Sequence, residues 1–266
     1  MAGGLTVSGM RVSIDIVHAR RERLAQLLRE NRYLEVRELC ARLQISEATV
    51  RRDLAALAGA NRITRTRGGA LVDFNLRFPS FQQRQSRAAG AKRLIAEQAV
   101  THIKPGMTVY LDAGTTIYAV AQLLLERGIR PLTVVTASLP VADLLADAAG
   151  VKVILSGGEF LRRQSVLVGR TARKILGGFD YDLAAMSVEG ADRDGLWNTQ
   201  AEIVRAQQAV MRRARRVLVC ADHTKLGKTA PVFLAGWSAR LTLVSDAPAA
   251  WLEQLRPRRR QGAKIL

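Results

Sequence analysis

The sequence predicts an α/β chain in two parts: a small helical unit closed by a β-hairpin wing over residues 15–72, and a larger, mainly parallel α/β domain over residues 91–254. Three observations carry this. Residues 36–57 hold two short apolar runs at helical spacing across a tight turn, and residues 62–70 alternate β-formers with arginine before a glycine pair. From Lys92 onward, near-continuous apolar runs alternate with amphipathic stretches. Between the two parts, residues 73–90 contain Pro79, Ser80 and the Gln/Arg-rich stretch Gln82–Arg87 without an apolar period, and read as a linker. Residues 1–14 lack a basic segment followed by an apolar one, so they read as a disordered end and not as a secretory signal. Residues 255–266 form a basic tail with Arg256, Arg258, Arg259, Arg260 and Lys264. A solvated end is the expectation there, with non-specific phosphate contact as the alternative.

In the small unit Val17, Leu24, Leu27 and Leu28 predict a first helix, and Val36, Leu39, Cys40 and Leu43 a second. After the turn Leu43-Gln44-Ile45, Ser46 is a good N-cap for a third, because its hydroxyl can accept from an amide of the first turn. On that helix Val50, Leu54 and Leu57 share one face; Ala48 and Arg52 point the other way, with Thr49 and Arg51 on the flanks. A helix-turn-helix lays its second helix in the DNA major groove, where small residues allow close approach and Arg can donate two hydrogen bonds to guanine. The same spacing fits an ordinary helical hairpin with a solvated arginine pair, and the following segment favours DNA. Arg62, Arg65 and Arg67 would each neutralise a backbone phosphate from a short hairpin wing. The candidate DNA-binding residues are therefore Ser46, Ala48, Thr49, Arg51, Arg52, Arg62, Arg65 and Arg67.

The larger domain offers strand candidates at Met107–Asp112, Leu132–Thr136, Val151–Leu155, Leu183–Val188, Arg216–Ala221 and Leu241–Ser245. Helical stretches lie at Thr116–Glu126, Leu139–Ala148, Val166–Leu176 and Ala201–Arg213. Ligands of open α/β sheets bind beyond the carboxyl ends of the strands, so polar residues at those ends are candidates. Asp112, Gly114, Thr115 and Thr116 close one strand and open a helix, whose N-terminal amides can hold a phosphate. Thr136 and Ser138 end the next, and Gly157 and Gly158 the third, where glycine lets backbone approach closely. Glu189-Gly190-Ala191-Asp192 and Asp222-His223-Thr224-Lys225 bring carboxylates and an ammonium to the same edge. Lys225 can pair with a phosphate; Asp112, Asp192 or Glu202 can accept sugar hydroxyls. The bland alternatives are ordinary strand-to-helix turns, a surface Lys225–Asp222 pair and a loop histidine at His223.

A formal charge of +18 points to polyanionic partners, nucleic acid first. Residues 1–70 hold 13 Arg against 7 Asp and Glu, so most of the excess lies outside the proposed DNA-binding part. No apolar run approaches the roughly 18 residues of a membrane span, so no membrane partner is expected. Cys40 and Cys220 sit in apolar patterns without Cys or His at metal spacing, which supports neither a disulfide, a metal nor a cofactor and fits a reducing cytoplasm.

Ser46 to Leu54, read with Arg65 to Ala70, resembles the DNA-binding signature of the DeoR family of bacterial transcription repressors: Ser, two variable residues, Thr, an aliphatic residue, Arg-Arg-Asp-Leu, then Arg and Gly-Gly-Ala. From about Gln83 to Gly227, Asp112-Ala-Gly-Thr-Thr116, Gly157-Gly158, and Asp222 with Lys225 and Gly227 look like positions of that family's sensor domain. The chain departs from the pattern at Ala137, where Asn is usual, and at Ser187-Val188-Glu189. The resemblance implies a winged helix-turn-helix joined to a sugar-phosphate-sensing domain whose fold is similar to ribose-5-phosphate isomerase. It implies a double-stranded DNA operator and a phosphorylated sugar effector as partners. A homo-oligomer, dimer or tetramer, is expected because helix-turn-helix proteins commonly pair over two half-sites.

The rival is a sugar-phosphate isomerase, since Glu189-Gly-Ala-Asp192 resembles that enzyme's Asp-Gly-Ala-Asp motif. Against it, Arg193-Asp-Gly-Leu-Trp-Asn198 lacks the enzyme's Lys-Gly-rich loop, and the first carboxylate is Glu, so no catalytic residue is assigned. An architectural DNA-binding protein without effector leaves the polar strand ends unexplained. The expectation is a regulator of carbohydrate metabolism genes.

Overall fold

The computed structural model describes residues 14–31, 33–59, 63–65, 69–72, 79–255 and 264–265. The chain divides into two compact units, Met1–Arg77 and Phe78–Leu266.

In the first unit, helices α1 (Ile14–Asn31), α2 (Val36–Leu43) and α3 (Glu47–Gly59) pack with strands β1 (Tyr33–Glu35), β2 (Ile63–Arg65) and β3 (Gly69–Val72). The strands form an antiparallel sheet in the order β1-β3-β2, so the wing gains a third strand, β1, that the apolar pattern does not announce. Three residues are too few for a period-2 signal. Leu24, Leu28, Leu39, Val50, Leu54, Leu57 and Ile63 make the core, as the helical spacing requires. Gln44 takes the left-handed conformation (φ 54°) that ends α2, and Ser46 Oγ accepts from the Thr49 amide at 3.4 Å.

One charged group lies at the centre of this unit. Asp53, on the buried side of α3, is fully buried and accepts from Arg20 Nε at 2.5 Å, Arg20 Nη2 at 3.2 Å and Arg21 Nε at 3.0 Å, tying α3 to α1. Burial alone would push its carboxyl up, but the hydrogen bonds and charges of the two arginines outweigh it and hold the group below the usual carboxylate range.

In the second unit, seven parallel strands run in the order β15-β14-β12-β9-β4-β5-β6. They are β4 (Thr108–Leu111), β5 (Leu132–Thr136), β6 (Val151–Leu155), β9 (Leu183–Ser187), β12 (Val217–Cys220), β14 (Leu241–Val244) and β15 (Lys264–Ile265). Alternate residues serve opposite cores: Val109, Leu111, Leu183, Ala185, Leu218 and Cys220 face one, and Tyr110, Ala184, Met186, Val217 and Val219 the other. Burial on both faces explains the continuous apolar runs. Helices α5 (Ala89–Val100), α6 (Thr115–Glu126) and α7 (Leu139–Leu145) cover the first face, and α8 (Gly169–Leu176), α9 (Ala201–Arg213) and α10 (Ala249–Gln254) the second. Two small antiparallel sheets complete the unit: β7 (Glu159–Leu161) with β8 (Val166–Val168), and β10 (Gly190–Ala191), β11 (Leu196–Asn198) and β13 (Val232–Ala235).

Three expectations are corrected. Within the stretch read as a linker, Phe81–Ser86 form helix α4, because Ser80 and Gln83 make a capping box: Ser80 Oγ accepts from the Gln83 amide and Gln83 Oε1 from the Ser80 amide. It buries no residue fully, so it left no apolar period. The helix expected over Val166–Leu176 starts only at Gly169 (φ 92°), and the β-branched Val166 and Val168 pair as a strand instead. In the basic tail, Lys264–Ile265 add an edge strand to β14 through backbone hydrogen bonds that need no apolar pattern. Residues 1–13, 73–78 and 256–263 lie outside the described residues.

The depressed Asp53 makes a stability prediction. Its contribution is fully present above the unfolded carboxylate value and lost as pH falls through the lower folded value. Asp53→Asn should cost the first unit about 1.5–3 kcal/mol at pH 7, and the gap to the parent should narrow below about pH 4. Urea unfolding at both pH values checks it; a constant gap would mean that the charge is irrelevant.

Candidate functional site

On α3, Glu47, Ala48, Arg51 and Arg52 are exposed and Thr49 is half-buried, which leaves the expected outward face to solvent. Arg51 Nε donates to Glu47 Oε1 at 2.8 Å, one turn back, and Ser46 Oγ lies 2.9 Å from Thr49 Oγ1. Arg65 pairs through its backbone with Ala70 in the wing, while Arg62 and Arg67 lie outside the described residues.

In the second unit the strand order reverses between β4 and β9: the chain runs from β4 outward through β5 and β6, then returns to β9 on the other side and continues through β12 and β14. Ligands of open α/β sheets bind at such a switch point. Here it brings the Asp112–Thr116 turn against Ser187 and Glu189. Asp112 is buried and accepts from Tyr110 Oη at 2.9 Å, Gln207 Nε2 at 2.7 Å and the Ser187 amide at 3.3 Å. Burial nevertheless pushes its carboxyl up against those bonds. Gln207 also donates to Ser187 O at 2.9 Å and accepts from Asn198 at 3.1 Å, and Ser187 Oγ donates to Ala113 O at 2.8 Å. The network locks the turn from behind. Gly114 has φ 121°, and a Cβ there would lie 2.6 Å from Ser187 Oγ, so only glycine fits. Behind Gly114, α6 begins without a side-chain cap, with Thr115 and Thr116 buried in its first turn.

A cleft of about 40 Å³ opens on this turn, lined by Asp112, Gly114, Ser187, Glu189, Asn198 and Thr199 with Arg84 and Gln164 at its side. Glu189 accepts from Lys225 Nζ. Lys225 stands in a short 3₁₀ turn, His223–Lys225, capped by Asp222, which accepts from the Thr224 amide at 3.0 Å.

The remaining candidates divide. Thr136 donates to Leu111 O at 2.6 Å and accepts from the Ser138 amide at 3.0 Å; Ser138 caps α7, so both shape the end of β5. Gly157 (φ 67°) and Gly158 (φ 118°) follow β6, and a Cβ on Gly158 would lie 2.4 Å from Val168 O, so these glycines serve the contact with β8. Asp192 accepts from the Asp194 and Gly195 amides at 2.9 and 3.0 Å and from Trp197 Nε1 at 3.0 Å, holding the β10–β11 turn. It borders a separate groove of about 580 Å³ with Leu226, Trp251 and Leu255. Glu202, expected beside the sugar, instead pairs with Arg205 and, at 3.9 Å, Arg173 across α8 and α9. Its helical register points it away from the turn that Gln207, five residues on, faces. Asp112 likewise serves as an internal strut, its oxygens engaged by the protein's own donors.

The sequence reading missed Ser187, Asn198, Gln207 and Arg84. A signal for Gln207 exists: it is a lone amide on the α9 face that carries Ile203, Val204, Ala206 and Val210.

Among the described residues no helix is long and apolar enough to cross a membrane, and no group of three or more His, Cys, Asp and Glu side chains is placed to hold a metal ion.

A winged helix-turn-helix with a basic recognition face, followed by a parallel α/β unit with a polar cleft at its switch point, defines a DNA-binding transcriptional regulator with a sensor domain. The comparisons with known proteins agree. Residues 20–74 match the DeoR-like helix-turn-helix domain and residues 87–247 the DeoR C terminal sensor domain. The chain belongs to the DeoR family. It is 31% identical over 226 residues to the glycerol-3-phosphate regulon repressor of Escherichia coli (strain K12), spanning 85% of this chain and 89% of that protein. It is 32% identical over 207 residues to the HTH-type transcriptional repressor GlcR of Bacillus subtilis (strain 168), spanning 77% and 79%. Relatives of this kind mark the chain as a regulator and not an enzyme. A ribose 5-phosphate isomerase A from Methanocaldococcus jannaschii aligns over 51% of this chain and 53% of that one at 17% identity and a TM-score of 0.36, a level at which no activity transfers.

The packing of Gly114 is directly testable. Gly114→Ala should lower the stability of the second unit by about 1–3 kcal/mol, because it adds left-handed strain to a steric clash. Gly90→Ala, in the first turn of α5 with nothing within 4 Å, should be neutral or stabilising. Thermal unfolding of the two variants beside the parent compares them; equal melting temperatures would contradict the assignment of Gly114.

Proposed function

We propose that the protein is a transcriptional repressor of carbohydrate metabolism genes, acting as a homo-oligomer, whose operator affinity is set by a phosphorylated sugar bound at the β4–β9 switch point. The observation that carries it is the uncapped start of α6 at Gly114–Thr116, placed on the cleft beside Glu189 and Lys225. First-turn amides and the helix dipole favour a phosphate dianion there, and Lys225 adds a point charge. The printed names of the relatives, which include a glycerol-3-phosphate regulon repressor, support the same ligand chemistry. In this reading α3 reads bases through Ala48, Thr49 and Arg52, Arg51 exchanges Glu47 for DNA, and Arg62, Arg65 and Arg67 contact phosphates. A dimer or tetramer places two recognition helices on two half-sites.

Two measurements test it. Arg52→Ala should cost about 1–3 kcal/mol of operator binding and relax preference at one base position; titration over single-base operator variants reads this, and an unchanged preference assigns Arg52 to phosphate or solvent. For the sensor, operator binding is titrated with and without ribose 5-phosphate, glycerol 3-phosphate and glucose 6-phosphate. At least one should change DNA affinity by about 1–3 kcal/mol in the parent and leave Lys225→Ala unchanged. A response to none of the three, or turnover of ribose 5-phosphate lost in Lys225→Ala, would overturn the sensor reading.

A further inference from the structure

The cleft at the switch point is smaller than a sugar phosphate: about 40 Å³ leaves room for a few waters at most. A ligand therefore has to displace side chains. Of the three charged residues that line the cleft, Asp112 is buried and held by three internal donors, which leaves Arg84 and Glu189 as the two that can move.

Arg84 comes from α4, the short helix that opens the second unit. Its guanidinium donates to Pro79 O and Arg163 O, each at 3.2 Å, and lies 5.7 Å from the centre of the Phe81 ring. Phe81 in turn meets Tyr118 of α6 edge-on, with ring centres 5.3 Å apart. The helix is fastened at its other end by Lys92, whose buried ammonium donates to Arg84 O at 2.5 Å and to Arg87 O. So α4 is pinned to the helix that carries the phosphate turn and presents an arginine to the cleft that the turn opens on. Glu189 faces that arginine across the cleft and is bonded on its other side to Lys225. One carboxylate thus serves two cations, in the position that a doubly charged anion would take.

We propose that Arg84 is a phosphate-binding residue of the effector cleft, and that Glu189 is its internal counter-anion, displaced when the phosphate of the ligand takes over Arg84 and Lys225. The proposal rests on the sugar-phosphate reading of the cleft given above. A guanidinium suits the task, because its planar fork can donate two hydrogen bonds to one phosphate. The consequence is positional. Arg84 belongs to the segment by which the chain enters the sensor unit from the DNA-binding unit, so ligand binding and the setting of that segment are one event. A cation that exchanges a carboxylate for a phosphate supplies the difference in interaction that a two-state response requires.

The test measures binding of inorganic phosphate and ribose 5-phosphate to the full-length parent and to Arg84→Gln, Arg84→Lys and Glu189→Gln, by calorimetry and by thermal shift. Arg84→Gln should weaken binding about tenfold to a hundredfold, and Arg84→Lys by less. Glu189→Gln should tighten it about tenfold, since a competitor for the same cations is removed. A merely structural role for either residue predicts loss in both, so the opposite signs decide. Unchanged affinity in Arg84→Gln, or unchanged or weaker affinity in Glu189→Gln, overturns the proposal while leaving the sugar-phosphate reading intact. Should Arg84→Gln fail to fold, Glu189→Gln decides alone. A parent that binds neither probe overturns that reading and this proposal together.

Discussion

The sensor unit depends on one buried carboxylate. Asp112 ends β4 at the centre of the sheet, out of reach of solvent, and its oxygens gather Tyr110, Gln207 and the Ser187 amide from three elements. A buried carboxylate without such donors would be prohibitively costly, and one that has them fixes the elements that supply them. Through Gln207 it orients Asn198, and through Ser187 it closes against Ala113 and Gly114. The turn that starts α6 is therefore built before any ligand arrives, which lowers the ordering cost of binding at that edge.

The DNA-binding unit solves the same problem with a different charge balance. Asp53 is as buried as Asp112 but meets two arginines instead of neutral donors, so its carboxyl is held down where that of Asp112 is pushed up. The result is a recognition helix whose inner face is tied to α1 by Arg20 and Arg21 while its outer face keeps Arg51 and Arg52 for DNA. Adjacent arginines and an aspartate in Arg51-Arg52-Asp53 thus have opposite duties, because a 100° step per residue takes the third from solvent to core.

Where one periodicity dominates, the sequence was legible. Val50, Leu54 and Leu57 lie inward as their spacing demands, and the six long apolar runs are strands of one parallel sheet. What escaped are features that depend on contacts between distant residues. Strand order is one: nothing local in Leu183–Ser187 says that it lies beside Thr108–Leu111, yet that adjacency creates the cleft. Polar residues at strand ends were the right place to look, but sequence cannot tell a strut from a ligand-facing group. Thr136, Ser138 and Asp192 are engaged in shaping turns, and Glu202 falls on the far side of its helix. Arg84 escaped because its helix has no buried face and is anchored by Lys92 at long range for so short a segment.

The central claim is that the sensed ligand sits on the Asp112–Thr116 turn, and backbone hydrogen exchange of the full-length protein tests it most directly. With a saturating sugar phosphate that alters operator binding, protection should rise at residues 113–117, at 84–87 and at 223–226, and stay level around Trp251. Protection confined to the Asp192–Trp251 groove, or none at the turn, would contradict the account.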